Sequence, residues 1–311
     1  MRPLSSLVLL LWTLTAGCLA AEPSPQAVSA AAVAPVTGPV AIVPGSVFRL
    51  AKIPFMGVRD LYRDYQPFLE NLAGRLGSSR ATLVLAADYE GAVKHLQAGE
   101  ADCAWLGTLA YAQARVHGIP LVPLVCPVRP QGTSYRGLIV ASKDSGIRKL
   151  SDLKGKRFCF VDPDSASGYL FPKLMLEAAG IKVPRQLKTA QPDKPDFVGN
   201  HSNVVLNVLL GRYDAGAVHE GAIEEALAHD PTRAAKLSVI AHTQPIFGEP
   251  IVVLSSTPEA RRKQIRDAFL AIKGPAAGVQ VLKGVLGFCA VRDSDYDYVR
   301  KLVARASRTG R

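Results

Sequence analysis

The sequence predicts an α/β fold of two facing lobes, each built on a mostly parallel sheet. Three observations predict it. Short apolar runs alternate with longer stretches of helical spacing from Val47 to Val125, and again from Gly137 to Val218. That is the pattern of βαβ units. Two segments about 110 residues apart also share one plan. In one, Asp88-Tyr89 opens a helix to Leu96, with Gly99, Asp102 and the run Cys103–Trp105 after it; in the other, His201 opens a helix to Leu210, with Gly211, Asp214 and Ala215–Val218. Third, ligands of open α/β sheets sit beyond the carboxyl ends of the strands. Two such lobes therefore make a central cleft lined by helix starts.

The chain opens with Met1-Arg2 and an apolar run from Leu4 to Leu14. The run is too short to span a bilayer, and residues 1–20 read as a signal peptide. Two cleavage readings stand. Leu14-Thr15-Ala16-Gly17-Cys18 has the shape of a bacterial lipoprotein box with lipid on Cys18, although Thr15 holds a place usually given to Leu. The other reading is cleavage after Ala20 or Ala21. The lipoprotein reading is adopted, and either one exports the chain. Residues 21–45, rich in Ala, Pro and Val, read as a tether.

Folded structure begins near Ser46. Val47–Ile53 is a strand, and Tyr65, Phe68, Leu69, Leu72 and Leu76 mark a helix over Tyr62–Leu76, stopped by Gly77. Ala81–Ala86 is a strand, Asp88–Leu96 a helix, Asp102–Leu106 a strand. A helix runs to Val116, and Leu121–Val125 is the next strand. After Tyr135 come a strand at Gly137–Ala141, a short amphipathic turn at Ser145–Leu153 and a strand at Phe158–Val161. A helix at Tyr169–Ala179 and a polar loop at Gln186–Pro195 follow. His201–Leu210 is a helix, Asp214–Val218 and Leu237–Ala241 are strands. Gln244–Pro250 crosses back to the first lobe, where Ile251–Leu254 is a strand and Pro258–Lys273 and Tyr296–Ala306 are helices. One lobe is then residues 46–136 with 245–311, and the other 137–244.

The most informative stretch joins the strand at Phe158 to the helix at Tyr169. Asp162-Pro163-Asp164 makes a turn, and Ser165, Ser167 and Gly168 stand where the helix starts. Pro172 fits only within about the first turn. Free N–H groups, the positive helix end and two hydroxyls converge there as an anion site. An ordinary N-cap is the plain alternative.

The chain is 48% hydrophobic and 20% charged, as a globular protein is. Its formal charge is +11, and Arg2 is the only charge in Met1–Gly17, so loss of that segment leaves +10. Such a balance favours acidic partners, anionic surfaces or anionic ligands. No basic stripe interleaves with aromatics, and with export this argues against nucleic acid. The five cysteines show no C-x-x-C or Cys/His spacing, so neither metal nor cofactor is expected. Cys103 and Cys159 read as small core residues. An oxidising compartment permits one disulfide, whose pair the sequence does not choose.

Several stretches together resemble one family. They are Ala86-Ala87-Asp88-Tyr89-Glu90, Gly99–Gly107, Ser134-Tyr135-Arg136-Gly137, Ser142–Ile147, Leu153–Arg157, Asp162–Leu170, His201 and Gly248-Glu249-Pro250-Ile251. Over roughly Phe48–Phe288 the chain resembles the periplasmic substrate-binding proteins of phosphate, phosphite and phosphonate ABC transporters. The resemblance implies two lobes of the type II-like binding-protein fold, joined by two extended strands and closing on a ligand. It implies a phosphoryl group held by Ser165, Ser167 and Gly168, with Ala166 standing where many members carry a further hydroxyl. Tyr89, Tyr135 and His201 match ligand-contacting positions. Glu249 matches an acidic position that pairs the amine of aminoalkylphosphonates. Trp105 reads as core beneath the cleft, and His219-Glu220 as a solvated loop in preference to a rim of the cleft.

The implied function is capture of a small phosphorus-containing anion outside the inner membrane and delivery to an ABC permease. The protein acts as a monomer that touches membrane only through its lipid. A sensor feeding a signalling partner is the alternative. An enzyme using Ser167, His201 and Asp162 is disfavoured, since no G-x-S-x-G elbow is present.

Overall fold

Burial alternates along the first strand, β1 (Val47–Lys52), and fixes two faces. Phe48 and Leu50 enter one apolar cluster and Ala51 another. The structure, a computed structural model, describes residues 46–53, 58–274, 281–282 and 284–309. The leader, lipid site and tether expected over 1–45 lie outside the described residues, and the described residues form one compact unit.

Chain order continues with α1 (Val58–Leu76), β2 (Arg80–Leu85), α2 (Tyr89–Gln97), β3 (Cys103–Trp105), α3 (Thr108–Val116) and β4 (Leu121–Val128). Next come β5 (Ser134–Tyr135), β6 (Gly137–Ser142), β7 (Phe158–Phe160), α4 (Phe171–Ala178), β8 (Asp196–Phe197), α5 (His201–Leu209), β9 (Ala215–His219) and α6 (Ala222–Ala226). The last are β10 (Leu237–His242), β11 (Ile246–Phe247), β12 (Ile251–Leu254), α7 (Glu259–Leu270), β13 (Gly287–Ala290) and α8 (Asp297–Thr309).

The first sheet has the order β13-β4-β12-β3-β1-β2 and the second β10-β6-β9-β7-β8. Both are mixed, which corrects the expectation of mostly parallel sheets. β1 runs parallel to β2 and β3, and β7 to β8 and β9; the remaining pairings in both sheets are antiparallel. A helical crossover enforces parallel pairing only between the strands it joins. β12 arrives instead from the returning chain and inserts antiparallel between β3 and β4.

The chain crosses between the sheets twice, and the crossings touch. β5 and β11 pair antiparallel, Tyr135 opposite Ile246 and Ser134 opposite Phe247. Thr243 fastens the second crossing to the first: its N–H donates to Gly137 O at 2.8 Å, and its hydroxyl accepts the Gly137 N–H at 2.8 Å.

Each sheet is covered on both faces. On the first, α1 and α7 meet one face through Leu61, Phe68, Leu72 and Phe269, with Phe68 6.0 Å from Phe269 and 5.8 Å from Phe288. Tyr65, Phe68, Leu69, Leu72 and Leu76, the helical stripe expected from the sequence, are all buried. α2, α3 and Tyr296 cover the other face.

The internal repeat has a physical basis. Asp88 caps α2 by accepting from Gly91 N at 2.7 Å, and Asn200 caps α5 by accepting from Asn203 N at 2.8 Å. Gly99 and Gly211 follow these helices with φ of 70° and 71°, a conformation that suits glycine. Asp102 then accepts from Arg49 N at 2.8 Å, and Asp214 from Arg157 N at 2.9 Å. In both sheets the aspartate ties the strand after the helix to the start of its neighbour.

Candidate functional site

A cavity of about 430 Å³ lies between the two sheets. It collects residues from the carboxyl ends of strands, where crossover sheets leave a crevice. Lys52 ends β1, Trp105 ends β3 and His219 ends β9, and Val161 follows β7. Helix starts supply Tyr89 on α2 and His201 on α5, and Glu225 lies on α6. Arg129 follows β4, Tyr135 lies on β5 and Glu249 precedes β12, so the crossings bring three more groups to the wall.

Four of the seven residues expected at the site line this cavity: Tyr89, Tyr135, His201 and Glu249. Ser165, Ser167 and Gly168 are buried just behind the wall. Ser165 Oγ accepts the Gly168 N–H at 3.0 Å, the geometry of an N-cap. A Cβ on Gly168 would stand 2.4 Å from Val161, which itself faces the cavity. The Ser167 hydroxyl lies close enough to Tyr135 to favour its ionised form, which sets the serine-bearing helix start against the wall. That start, Ala166–Leu170, is π-wound, with Leu170 N donating to Ser165 O at 3.0 Å; Pro172 sits in the first turn of α4.

Charge is paired across the first-sheet end. Arg129 donates to Glu249 at 2.9 Å and lies over the Tyr135 ring at 5.4 Å. The Lys52 ammonium stands 4.2 Å above the Trp105 ring. Burial, only partly offset by Glu249, brings the Lys52 pKa down to about 8. Burial works against the Glu249 carboxylate, yet Arg129, Lys52 and His219 outweigh it and hold its pKa below the usual value. Burial raises the Tyr89 and Tyr135 hydroxyls, so both remain neutral donors. The indole N–H of Trp105 and one terminal guanidinium nitrogen of Arg129 are buried with no hydrogen-bond partner among the described residues.

The two histidines divide the labour of charge. His201 Nδ1 accepts the backbone N–H of His219 at 3.0 Å, so its neutral ring carries the proton on Nε2. Burial, reinforced by His219, keeps the His201 pKa well below the usual value. His219 faces acceptors with both nitrogens, Glu220 O at 2.7 Å and Glu225 at 3.2 Å. Burial opposes its charged form, but Glu225 prevails and the His219 pKa is raised. The rings stand 4.3 Å apart.

Lys52, Arg129, Tyr65 and Glu225 were missed by the sequence reading. Lys52 ends β1 and Arg129 follows β4; a strand closing on a cation was the one signal available. His219 and Glu220, read as a solvated loop in preference to a cleft rim, line the cavity, so the less favoured reading holds. Trp105 is buried and lines it too. His201 Nδ1 is occupied by the backbone N–H of His219.

Comparison with known proteins places this geometry. The family model described as "ABC transporter, phosphonate, periplasmic substrate-binding protein" matches residues 50–296. The phosphate-import protein PhnD of Mycolicibacterium smegmatis is 34% identical over 184 residues, 57% of this chain and 56% of that protein. The probable ABC transporter phosphite binding protein PhnD1 of Prochlorococcus marinus is 27% identical over 199 residues, 62% of this chain and 65% of that protein. This chain thus spans about three fifths of the length of these curated relatives. The crystal structure of a binding protein component of an ABC phosphonate transporter from Pseudomonas aeruginosa superposes with a TM-score of 0.74 at 25% identity, over 86% of this chain and 88% of that one. With the two-lobed binding-protein architecture shared and most of the folded chain matched, this chain belongs to the periplasmic substrate-binding proteins of phosphonate ABC transporters.

Proposed function

We propose that this protein captures a small phosphorus oxyanion of the phosphonate, phosphite or phosphate class between its lobes and presents it to an ABC permease. The observation that carries the reading is the donor set around the cavity. The Trp105 indole, a spare Arg129 nitrogen and the Lys52 ammonium meet it from one sheet. Tyr89, Tyr135 and the Nε2–H of neutral His201 add donors that do not ionise. The Trp105 N–H and that one Arg129 nitrogen are buried with no partner among the described residues; such donors are costly unless an acceptor arrives, and a phosphoryl group brings several. Ser165, Ser167 and Gly168 complete the seat through Tyr135 when the lobes close. Lobe boundaries at 136/137 and 244/245 fit the paired crossings. Export, an anchor on Cys18 and action as a monomer belong to the same reading.

A thermal-shift titration tests it, with phosphate, phosphite, methylphosphonate, 2-aminoethylphosphonate and sulfate. A ligand that binds only folded protein raises the melting temperature by mass action, by about 2.7 kcal/mol of stability at a hundredfold excess over Kd. The expected result is a shift with a phosphorus compound and none with sulfate; five flat titrations refute the reading.

A further inference from the structure

β13 lies along β4 at the edge of the first sheet, with Cys289 directly opposite Cys126. Residues directly opposite in an antiparallel pair point to one face, with Cα atoms about 4.5–5.5 Å apart. Disulfides accept Cα separations of about 4.4–6.8 Å. The two sulfurs face each other at 3.4 Å. The other described cysteines, Cys103 and Cys159, are each fully buried in different apolar clusters.

We infer that Cys126 and Cys289 form a structural disulfide, the one pairing of these four cysteines that the fold permits. Cys126 is fully buried while Cys289 is half-buried, which orders the chemistry. The Cys289 thiolate attacks the disulfide of an external oxidant, a thiol–disulfide oxidase or glutathione disulfide, and expels one thiol. The Cys126 thiolate then attacks Cys289 in that mixed disulfide and expels the second. Two thiol protons and two electrons leave the protein, one oxidant disulfide is reduced to two thiols, and one S–S bond forms. The pair is 163 positions apart, so the bond encloses both crossings and the whole second sheet. The link ties only first-sheet strands and leaves the crossings free to bend. It also lies beneath the site, since a Cβ placed on Gly248 would stand 3.2 Å from Cys126 Sγ, one residue from Glu249.

That the bond is present in the cell rests on export; that it can form does not, and two experiments separate the claims. Purified full-length chain is equilibrated with reduced and oxidised glutathione, then alkylated, digested with trypsin and weighed. The expected result is a linked pair of peptides carrying Cys126 and Cys289, with Cys103 and Cys159 alkylated. Alkylation of both Cys126 and Cys289 after refolding in oxidised glutathione overturns the inference. Reductant should lower the melting temperature of the oxidised wild type by about 5–10 °C and leave Cys289→Ser unmoved; equal responses also overturn it. The same mapping on chain recovered from the periplasm addresses export, since absence of the chain from that fraction counts against export and not against the pairing.

Discussion

Lys52 shows how a single residue trades stability against binding. Its ordinary pKa is 10.5 and its folded value about 8, a difference worth about 3 kcal/mol. The folded state sheds this proton first, so the deficit is full below pH 8 and disappears as pH rises to the ordinary lysine value. Lys52→Met should therefore raise the ligand-free melting temperature at neutral pH, with the gain vanishing towards alkaline pH, while weakening anion binding at least tenfold. A variant that melts lower at neutral pH removes this account. His219 carries the opposite sign. Its folded pKa is raised by Glu225, so the pair's contribution is full below the ordinary histidine value and is lost as pH rises through the folded one. The melting-temperature gap between wild type and Glu225→Gln should be widest below the ordinary histidine value of about 6.5 and narrow as pH rises above it; a constant gap contradicts the pairing. Tyr89, His201 and Glu249 could be picked out because family motifs surround them. Arg129 could not, because what makes it notable is Glu249, 120 positions away.

Among the elements, the turn from β7 to α4 is the most specific. Ser165 spends its side-chain oxygen on the Gly168 N–H, and both residues are buried. Ser165→Ala should cost about 1–2 kcal/mol of folding stability, the usual loss for a cap whose donor stays buried. A chemical-denaturation midpoint measures it, and an unchanged midpoint excludes the cap. The strand, turn and helix were legible from apolar runs and Asp-Pro-Asp. The π-wound first turn was not, because a single extra residue per turn leaves no periodicity over five residues. β13 was also illegible: Gly287–Ala290 has no polar alternation, and its partner strand β4 lies far upstream.

Across the whole molecule, the narrow ribbon of β5 and β11 joins two independently covered sheets. Such paired crossings are where a hinge bends. Gly137 sits at the exit of the first, and a Cβ there would meet Ser167 O at 2.7 Å and Thr243 Cγ2 at 3.0 Å. Gly137→Ala should displace the serine-bearing helix start and cost about 1–3 kcal/mol of stability, with weaker ligand binding in the same variant; calorimetry with native affinity refutes the tight fit. The two-lobed plan was readable because Asp102 and Asp214 perform one task at matching places. The mixed sheet was not, because the direction of β12 is set by a chain returning from the other lobe.

Trp105 and Trp12 are the two tryptophans of the sequence, and Trp12 falls within the proposed signal peptide. A processed chain therefore carries one indole, at the cavity wall beneath Lys52 and 6.2 Å from the Tyr65 ring. Tryptophan emission of that processed chain, excited selectively, therefore comes from the cavity wall without dye or label. An anion that draws Lys52 off the ring changes the quantum yield in proportion to occupancy, and stopped-flow mixing then times the filling of the trap directly.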